Sequence, residues 1–217
     1  MEAFINLLND VLWSTPMIVF CLGVGLLFTI WTRFVQVRLF KDMLTHTFKG
    51  KSSSAGVSSF QALAISLSGR VGTGNIAGTA TAIAFGGPGA VFWMWTIAFI
   101  GASSAFIEST LAQVYKEKQE GQYRGGPAYY IEKGIGWKWY AVLFAGAAIL
   151  ATSFLMPGIQ ANAIGEGLNN AFNADKTWVA VALVIVIGLI IFGGVKRIAS
   201  VAQVVVPFMA VAYVFLA

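Results

Sequence analysis

The sequence carries little charge, a single cysteine and a single histidine. Only 11% of its 217 residues are charged and 58% are hydrophobic, whereas a soluble globular domain carries about 25% charge. Too few polar side chains remain to form a water-facing shell, and so high a hydrophobic content excludes intrinsic disorder. A lone cysteine excludes a disulfide framework, and a lone histidine excludes the metal-binding and catalytic motifs that need two. The composition therefore indicates an integral membrane protein.

Long apolar runs divide the chain into six predicted transmembrane helices. A helix of roughly 20 apolar residues crosses a hydrocarbon layer about 30 Å thick. The predicted spans are residues 12–32, 58–85, 90–115, 140–165, 178–193 and 199–217. The last span stops inside an apolar run with no charged flank, so we expect the sequence to be the N-terminal part of a longer protein. The predicted fold class is all-α, a single polytopic membrane domain over residues 1–217.

Basic residues are concentrated in alternate loops. Twelve of the 14 lysines and arginines lie in the loops after the first, third and fifth spans, and one, Lys176, lies on the opposite side. Cytoplasmic loops of membrane proteins are enriched in Lys and Arg. We therefore expect a multi-pass protein of the plasma or inner cell membrane, with these three loops in the cytoplasm and an extracytoplasmic N-terminus. This orientation explains the net charge of +5. We expect membrane lipid around the chain and no nucleic-acid partner.

The second predicted span is interrupted by a glycine-rich polar segment. Residues 69–78 contain four glycines, each of which costs a helix about 1 kcal/mol relative to alanine. Close helix packing would explain Gly74 and Gly78, but it does not explain Arg70 and Asn75, because polar groups inside a membrane are costly and usually functional. We favour a broken helix at a binding site. Free N–H groups at the start of one half would hold an anion, and free carbonyls at the end of the other half would hold a cation.

The fourth predicted span carries a second irregularity. Pro157 removes one backbone hydrogen bond, and Gln160 and Asn162 follow it within an apolar stretch. Two interpretations stay open. The kink is either a simple one whose amides bond to neighbouring helices, or one that turns Gln160 toward the interruption of the second span.

Four motifs in combination resemble those of the alanine or glycine:cation symporter family. They are residues 68–78 (SGRVGTGNIAG), 86–95 (GGPGAVFWMW), 108–113 (ESTLAQ) and 124–130 (RGGPAYY). The likeness extends over essentially the whole chain. It implies a LeuT-type fold of two inverted five-helix repeats, preceded here by one extra helix. On this basis residues 12–32 would be the extra helix and residues 58–217 the first repeat, with the second repeat absent from the sequence.

The resemblance implies secondary active transport. Family members carry alanine, glycine or similar small amino acids together with Na⁺, or occasionally H⁺, by alternating access around the broken helix, here residues 68–75. Na⁺ is then a coupling ion, and no resident cofactor is expected. The apolar runs contain no Asp pair, Ser–His pair or histidine pair, so a membrane-embedded hydrolase is not expected. A channel or an amino-acid sensor on the same scaffold is the alternative.

The resemblance also implies which residues form the site. The amides of Thr73 and Gly74 would hold the substrate carboxylate, and the side chain of Asn75 would lie beside both substrate and ion. Gln160 would contact the substrate from the fourth span. The backbone carbonyls of Ser68 and Val71, with Asn75, would hold Na⁺. Arg70 stands where many LeuT-type proteins have a small residue at a second Na⁺ site, so we expect one Na⁺ site rather than two.

Overall fold

The structure of the chain is a computed structural model that describes residues 2–50, 56–119 and 121–216. The α-helices in these residues are α1 (Glu2–Leu12), α2 (Thr15–Trp31), α3 (Val35–Arg38), α4 (Phe40–Lys49), α5 (Ser59–Ser68), α6 (Thr73–Gly86), α7 (Gly89–Val114), α8 (Pro127–Tyr130), α9 (Lys138–Leu150), α10 (Met156–Phe172), α11 (Lys176–Ile191) and α12 (Gly194–Leu216). Two π-helical turns, Ile131–Ile135 and Ala151–Leu155, and two antiparallel strands, β1 (Glu117–Gln119) and β2 (Gln122–Arg124), complete the described elements. The predicted all-α class is confirmed, since each strand has only three residues.

Several helices have the length and composition of membrane spans. Among the described residues, α7, the 35-residue stretch formed by α9 and α10, and α12 each qualify alone, and α1 with α2 qualifies as a pair bent by 40°. The fifth predicted span is α11, whose 16 residues reach about 24 Å at 1.5 Å per residue. The second predicted span is divided into α5 and α6. The helices fit a polytopic membrane protein.

The first predicted span begins later than expected, and a separate helix precedes it. The helix α2 starts at Thr15 rather than at residue 12, because Ser14 is extended and Pro16 occupies the first turn, where a proline suits a helix start. The preceding α1 exposes apolar side chains such as Phe4 and Leu8, while Glu2 and Asp10 lie on its opposite side. Such an amphipathic helix is typical of a membrane interface.

Two of the glycine motifs form tight turns beside helix ends. Between α6 and α7, Gly87 has a φ of +70°, a conformation that L side chains rarely adopt. Before α8, Gly126 has a φ of +114°. The neighbouring Gly125 lies so close to the end of α7 that an added Cβ would meet the Ala112 carbonyl oxygen at 2.8 Å. The 124–130 motif therefore folds the β1–β2 hairpin back against α7.

A buried hydrogen-bond network joins α2 to α7. The hydroxyl oxygens of Thr29 and Ser103 lie 2.9 Å apart, and Ser103 Oγ donates to the Gly25 carbonyl at 3.0 Å. Both hydroxyl residues are fully buried. An added Cβ at Gly25 would lie 2.6 Å from Ile100 Cγ2, so the two helices touch closely here. Because hydroxyls in an apolar interior need partners, this network holds the first span against the third.

The half-helix α5 packs along α12. Ala64 of α5 and Ala199 and Val206 of α12 are among the few apolar side chains that are completely shielded. Most large apolar side chains on α9 to α12 are instead exposed, as expected of helices that face lipid. This packing places the half-helix α5 beside the long helix α12.

Candidate functional site

The interruption predicted in the second span is present as a four-residue break. The helix α5 ends at Ser68 and α6 begins at Thr73. Gly72, the residue before α6, is extended with φ −138° and ψ 170°, and a glycine has no side chain with which to cap the first N–H groups. The start of α6 must therefore find its hydrogen-bond acceptors elsewhere.

Gln160 supplies one of those acceptors from the fourth span. Its Oε1 accepts a hydrogen bond from the Thr73 N–H at 3.2 Å and another from Thr73 Oγ1 at 2.7 Å. The sequence left two interpretations of the kink open, and the structure supports the one in which Gln160 points to the break. The N-terminal end of α6 carries a partial positive charge, which a carbonyl oxygen or an anion at this position would neutralise.

A π-helical turn positions Gln160. The turn Ala151–Leu155 lies immediately before α10, and Pro157 occupies the first turn of α10. Proline cannot donate the backbone hydrogen bond that a continuous α-helix requires, and a π turn is one way in which a helix accommodates such a defect. The irregular turn shifts the residues that follow it around the helix axis. Gln160, one turn later, then faces α6.

Glycine allows α10 and α6 to approach closely. A Cβ added at Gly72 would lie 2.9 Å from Gln160 Nε2, so an alanine here would displace the glutamine. At Gly74 an added Cβ would meet nothing within 4 Å in the described part of the chain. The Gly74 N–H, in the first turn of α6, has no acceptor among those residues. It is a free donor at the positive end of a helix.

Asn75, in the first turn of α6, bonds back to the residues of the break. Its Nδ2 donates to the Arg70 carbonyl, and its own N–H bonds to the Gly72 carbonyl at 3.0 Å. Its Oδ1 has no hydrogen-bond donor within residues 2–50, 56–119 and 121–216. The amide group of Asn75 is therefore half engaged, with its donor holding the break together and its acceptor available.

Two backbone carbonyls predicted to hold a cation, one at the end of α5 and one within the break, have no hydrogen-bond donor among the described residues. The backbone oxygens of Ser68 and Val71 accept no hydrogen bond from any described residue. Carbonyl oxygens at the C-terminal end of a half-helix carry partial negative charge, and hard cations such as Na⁺ prefer oxygen ligands. The structure leaves both groups available for that role.

The Arg70 guanidinium bonds back to the last turn of α5. It donates to the Ser66 carbonyl at 3.1 Å and to the Ser66 hydroxyl. Ser66 was not predicted as the partner of Arg70, although a spacing of four residues is that of neighbours on a helix.

Similarity to known proteins extends over the whole sequence. The model of the sodium:alanine symporter family matches residues 1–217, the whole sequence. The chain belongs to the sodium:alanine symporter family. The resemblance inferred from the four motifs is confirmed at the level of the family.

Relatives of this symporter-family chain include several transporters from Bacillus. A candidate sodium/proton-dependent alanine carrier of Bacillus subtilis (strain 168) is 68% identical, with 100% of this chain and 45% of the relative covered. A sodium/proton-dependent alanine carrier protein of Bacillus sp. (strain PS3) is 52% identical, over 77% of this chain and 38% of the relative. A candidate sodium/glutamine symporter of B. subtilis is 46% identical, over 99% and 45%. The chain thus spans less than half the length of these relatives, all of which are named as transporters rather than enzymes.

Proposed function

We propose that this chain forms the substrate- and ion-binding part of a sodium-coupled symporter for alanine, glycine or a similar small neutral amino acid. The observation that carries the proposal is the break between α5 and α6. It leaves the N–H of Gly74 at one edge and the carbonyls of Ser68 and Val71 at the other. An amino acid brings a carboxylate that N–H donors can hold, and Na⁺ needs oxygen ligands.

In this proposal the substrate carboxylate binds at the first turn of α6. The amides of Thr73 and Gly74 donate to it, and the carboxylate replaces Gln160 Oε1 as the acceptor of the Thr73 N–H. Gln160 then becomes a direct contact of the substrate. Because the glutamine caps the same N–H group in the structure described here, substrate binding exchanges one acceptor for a charged one, which makes the stronger hydrogen bond.

Asn75 contributes to ion coupling in the same proposal. Its Nδ2 stays on the Arg70 carbonyl, and its Oδ1 joins the Ser68 and Val71 carbonyls around Na⁺. The ion and the carboxylate would then lie on either side of one side chain, so that binding of each favours binding of the other. Two relatives are named as sodium/proton-dependent carriers, so H⁺ is the competing coupling ion.

The predicted topology remains part of the proposal. The three basic loops face the cytoplasm, the N-terminus lies outside, and α5 to α12 form the first repeat of a LeuT-type fold. Alternating access then moves the packed helices against one another around the break. Labelling of single cysteines placed in α1 and in the β1–β2 hairpin, in intact cells, tests the orientation. Labelling of the hairpin but not of α1 by an impermeant reagent would contradict it.

Transport by the full-length protein in proteoliposomes tests the function. We expect uptake of labelled alanine that saturates with alanine and requires an inward Na⁺ gradient, and counterflow with other amino acids would identify the preferred substrate. Flux that does not saturate would favour a channel, and binding without flux would favour a sensor. Uptake driven equally well by a proton gradient without Na⁺ would identify H⁺, rather than Na⁺, as the coupling ion.

A further inference from the structure

The helix α4 carries an apolar stripe that the described part of the chain leaves largely exposed. Phe40, Leu44 and Phe48 recur every four residues and Met43 lies beside them, so these side chains share one side of the helix. Their exposed fractions run from 45% for Met43 to 69% for Phe48. The ten residues of α4 reach about 15 Å at 1.5 Å per residue, which is about half of the hydrocarbon thickness. The helix is therefore too short to cross the membrane.

The remaining surface of α4 is polar and basic. Lys41 and Lys49 lie on the helix, and Arg38 directly precedes it. Within residues 2–50, 56–119 and 121–216, the side chains of these three residues form no ion pair or hydrogen bond. Residues 33–57 of the sequence hold five lysines and arginines and one acid, Asp42. Beside its apolar stripe, α4 thus presents positive charge that no described side chain pairs with.

The place of α4 in the chain puts it at the surface of the membrane. The span α2 ends at Trp31, which is exposed, and a tryptophan at the end of a span is typical of the headgroup layer. The one-turn helix α3 leads from there to α4. In the proposed orientation this surface is the cytoplasmic one, and the cytoplasmic leaflet carries negative charge.

The end of α4 is held against the first turn of α5. The ring centres of Phe48 and Phe60 lie 6.3 Å apart. At Gly50, directly after α4, an added Cβ would collide with the side chain of Ser59, so the two segments touch closely here. The position of α4 is therefore coupled to the start of the first half of the broken helix.

We infer that α4 lies on the cytoplasmic leaflet and binds a surface of anionic phospholipid. Its apolar stripe enters the boundary between headgroups and acyl chains, and Arg38, Lys41 and Lys49 contact the lipid phosphates. An amphipathic helix binds such a surface through buried apolar area and through attraction of its basic residues to anionic lipid, and α4 offers both. Through Phe48 and Phe60, the bound leaflet anchors the start of α5. Only the choice of leaflet rests on the proposed orientation.

Electron paramagnetic resonance of the full-length protein tests this inference without reference to transport. A single spin label is attached at Phe48→Cys on the stripe or at Thr45→Cys on the polar side, in a variant that carries Cys21→Ala and no other cysteine. Collisions with oxygen, which dissolves in lipid, are compared with collisions with a water-soluble nickel complex. The vesicles contain phosphatidylcholine alone or phosphatidylcholine with an equal amount of phosphatidylglycerol. A label at Phe4→Cys is the control, because α1 is amphipathic but has no lysine or arginine.

We expect the label at position 48 to lie about 5–10 Å into the headgroup and acyl boundary of the mixed vesicles, with the label at position 45 in water. Arg38→Gln, Lys41→Gln and Lys49→Gln should each lower the ratio of lipid-exposed to water-exposed label at position 48 about fivefold. Lys41→Arg with Lys49→Arg keeps the charges and should keep that ratio, which separates lost charge from lost folding. The label on α1 should report the same depth in both kinds of vesicle.

Three results would overturn the inference. Equal exposure of positions 45 and 48 to the nickel complex would place α4 in water. A label at position 48 that neither reagent reaches would show that protein, from the rest of the chain or a second copy, covers the stripe. Equal depth in the two kinds of vesicle would remove the preference for anionic lipid. A wrong orientation is detected separately by cysteine labelling in cells, since both leaflets of these vesicles have the same composition.

Discussion

Replacement of Asn75 with leucine tests the proposed site at the residue that joins its two halves. The substitution keeps the size of the side chain but removes its donor to the Arg70 carbonyl and its unengaged Oδ1. The first loss removes the hydrogen bond from the first turn of α6 to the Arg70 carbonyl within the break. The second loss removes one proposed oxygen ligand of Na⁺. Both losses act on the same event, the joint binding of ion and amino acid.

The expected effect can be worked out from these two contacts. One net hydrogen bond contributes about 0.5–1.5 kcal/mol, and a polar group left without a partner in a dry site costs about 1–3 kcal/mol. The two losses together should cost about 1.5–4.5 kcal/mol of alanine binding. Since about 1.4 kcal/mol is a factor of ten, alanine affinity should fall at least about tenfold. The dependence of alanine binding on Na⁺ concentration should weaken with it.

The assay is alanine binding to purified full-length protein across a Na⁺ titration. Asn75→Asp keeps oxygen atoms for the ion but loses the donor to Arg70, so it should retain more Na⁺ dependence than Asn75→Leu. Thr81→Val is the matched control, because among the described residues this hydroxyl on α6 bonds to the Ala77 carbonyl of the preceding turn and to no other group. If Asn75→Leu keeps both its alanine affinity and its Na⁺ dependence, Asn75 serves helix packing alone and the proposed site is misplaced.

Three further predictions concern the contacts around the break and between the helices. Gln160→Leu removes the side chain that we propose contacts the substrate directly once the carboxylate has replaced it at the Thr73 N–H, and it should lower alanine affinity about tenfold. Asn162→Leu, exposed on the same helix, should leave alanine affinity unchanged. Equal effects of the two substitutions in this binding assay would contradict the role of Gln160. Gly72→Ala places a Cβ against Gln160 and should reduce alanine uptake at matched surface expression. Trp137→Leu, at an exposed position, should retain uptake. A larger loss of uptake in Trp137→Leu than in Gly72→Ala would refute the placement of the site at the break. Ser103→Ala should destabilise the pairing of α2 and α7 by about 0.6–1.7 kcal/mol, which a thermal unfolding scan in detergent would detect as a lower midpoint.

Local pattern was sufficient to predict the fold class and the position of the break. Apolar runs and their flanking charges mark membrane helices because the bilayer imposes the same length and solvent on each of them. Gly69 follows the last residue of α5 and Gly72 precedes the first residue of α6, as expected of glycine, which is a poor helix former. Local pattern also explains why Leu12 was a wrong start for the first span. An amphipathic helix, α1, has a periodicity that a search for long apolar runs does not detect.

Contacts between distant parts of the chain required the tertiary structure. Gln160 and Thr73 are separated by 87 positions, and Thr29 and Ser103 by 74. No spacing rule connects such residues, because their approach depends on how whole helices pack and on the turn that a π-helical defect adds before α10. The sequence indicated that Asn75 and Gln160 were polar groups at unusual depth. Only the packing of α10 against α6 decided that the glutamine meets the first N–H of the second half-helix, since hydrogen bonds require contact in space rather than proximity in sequence.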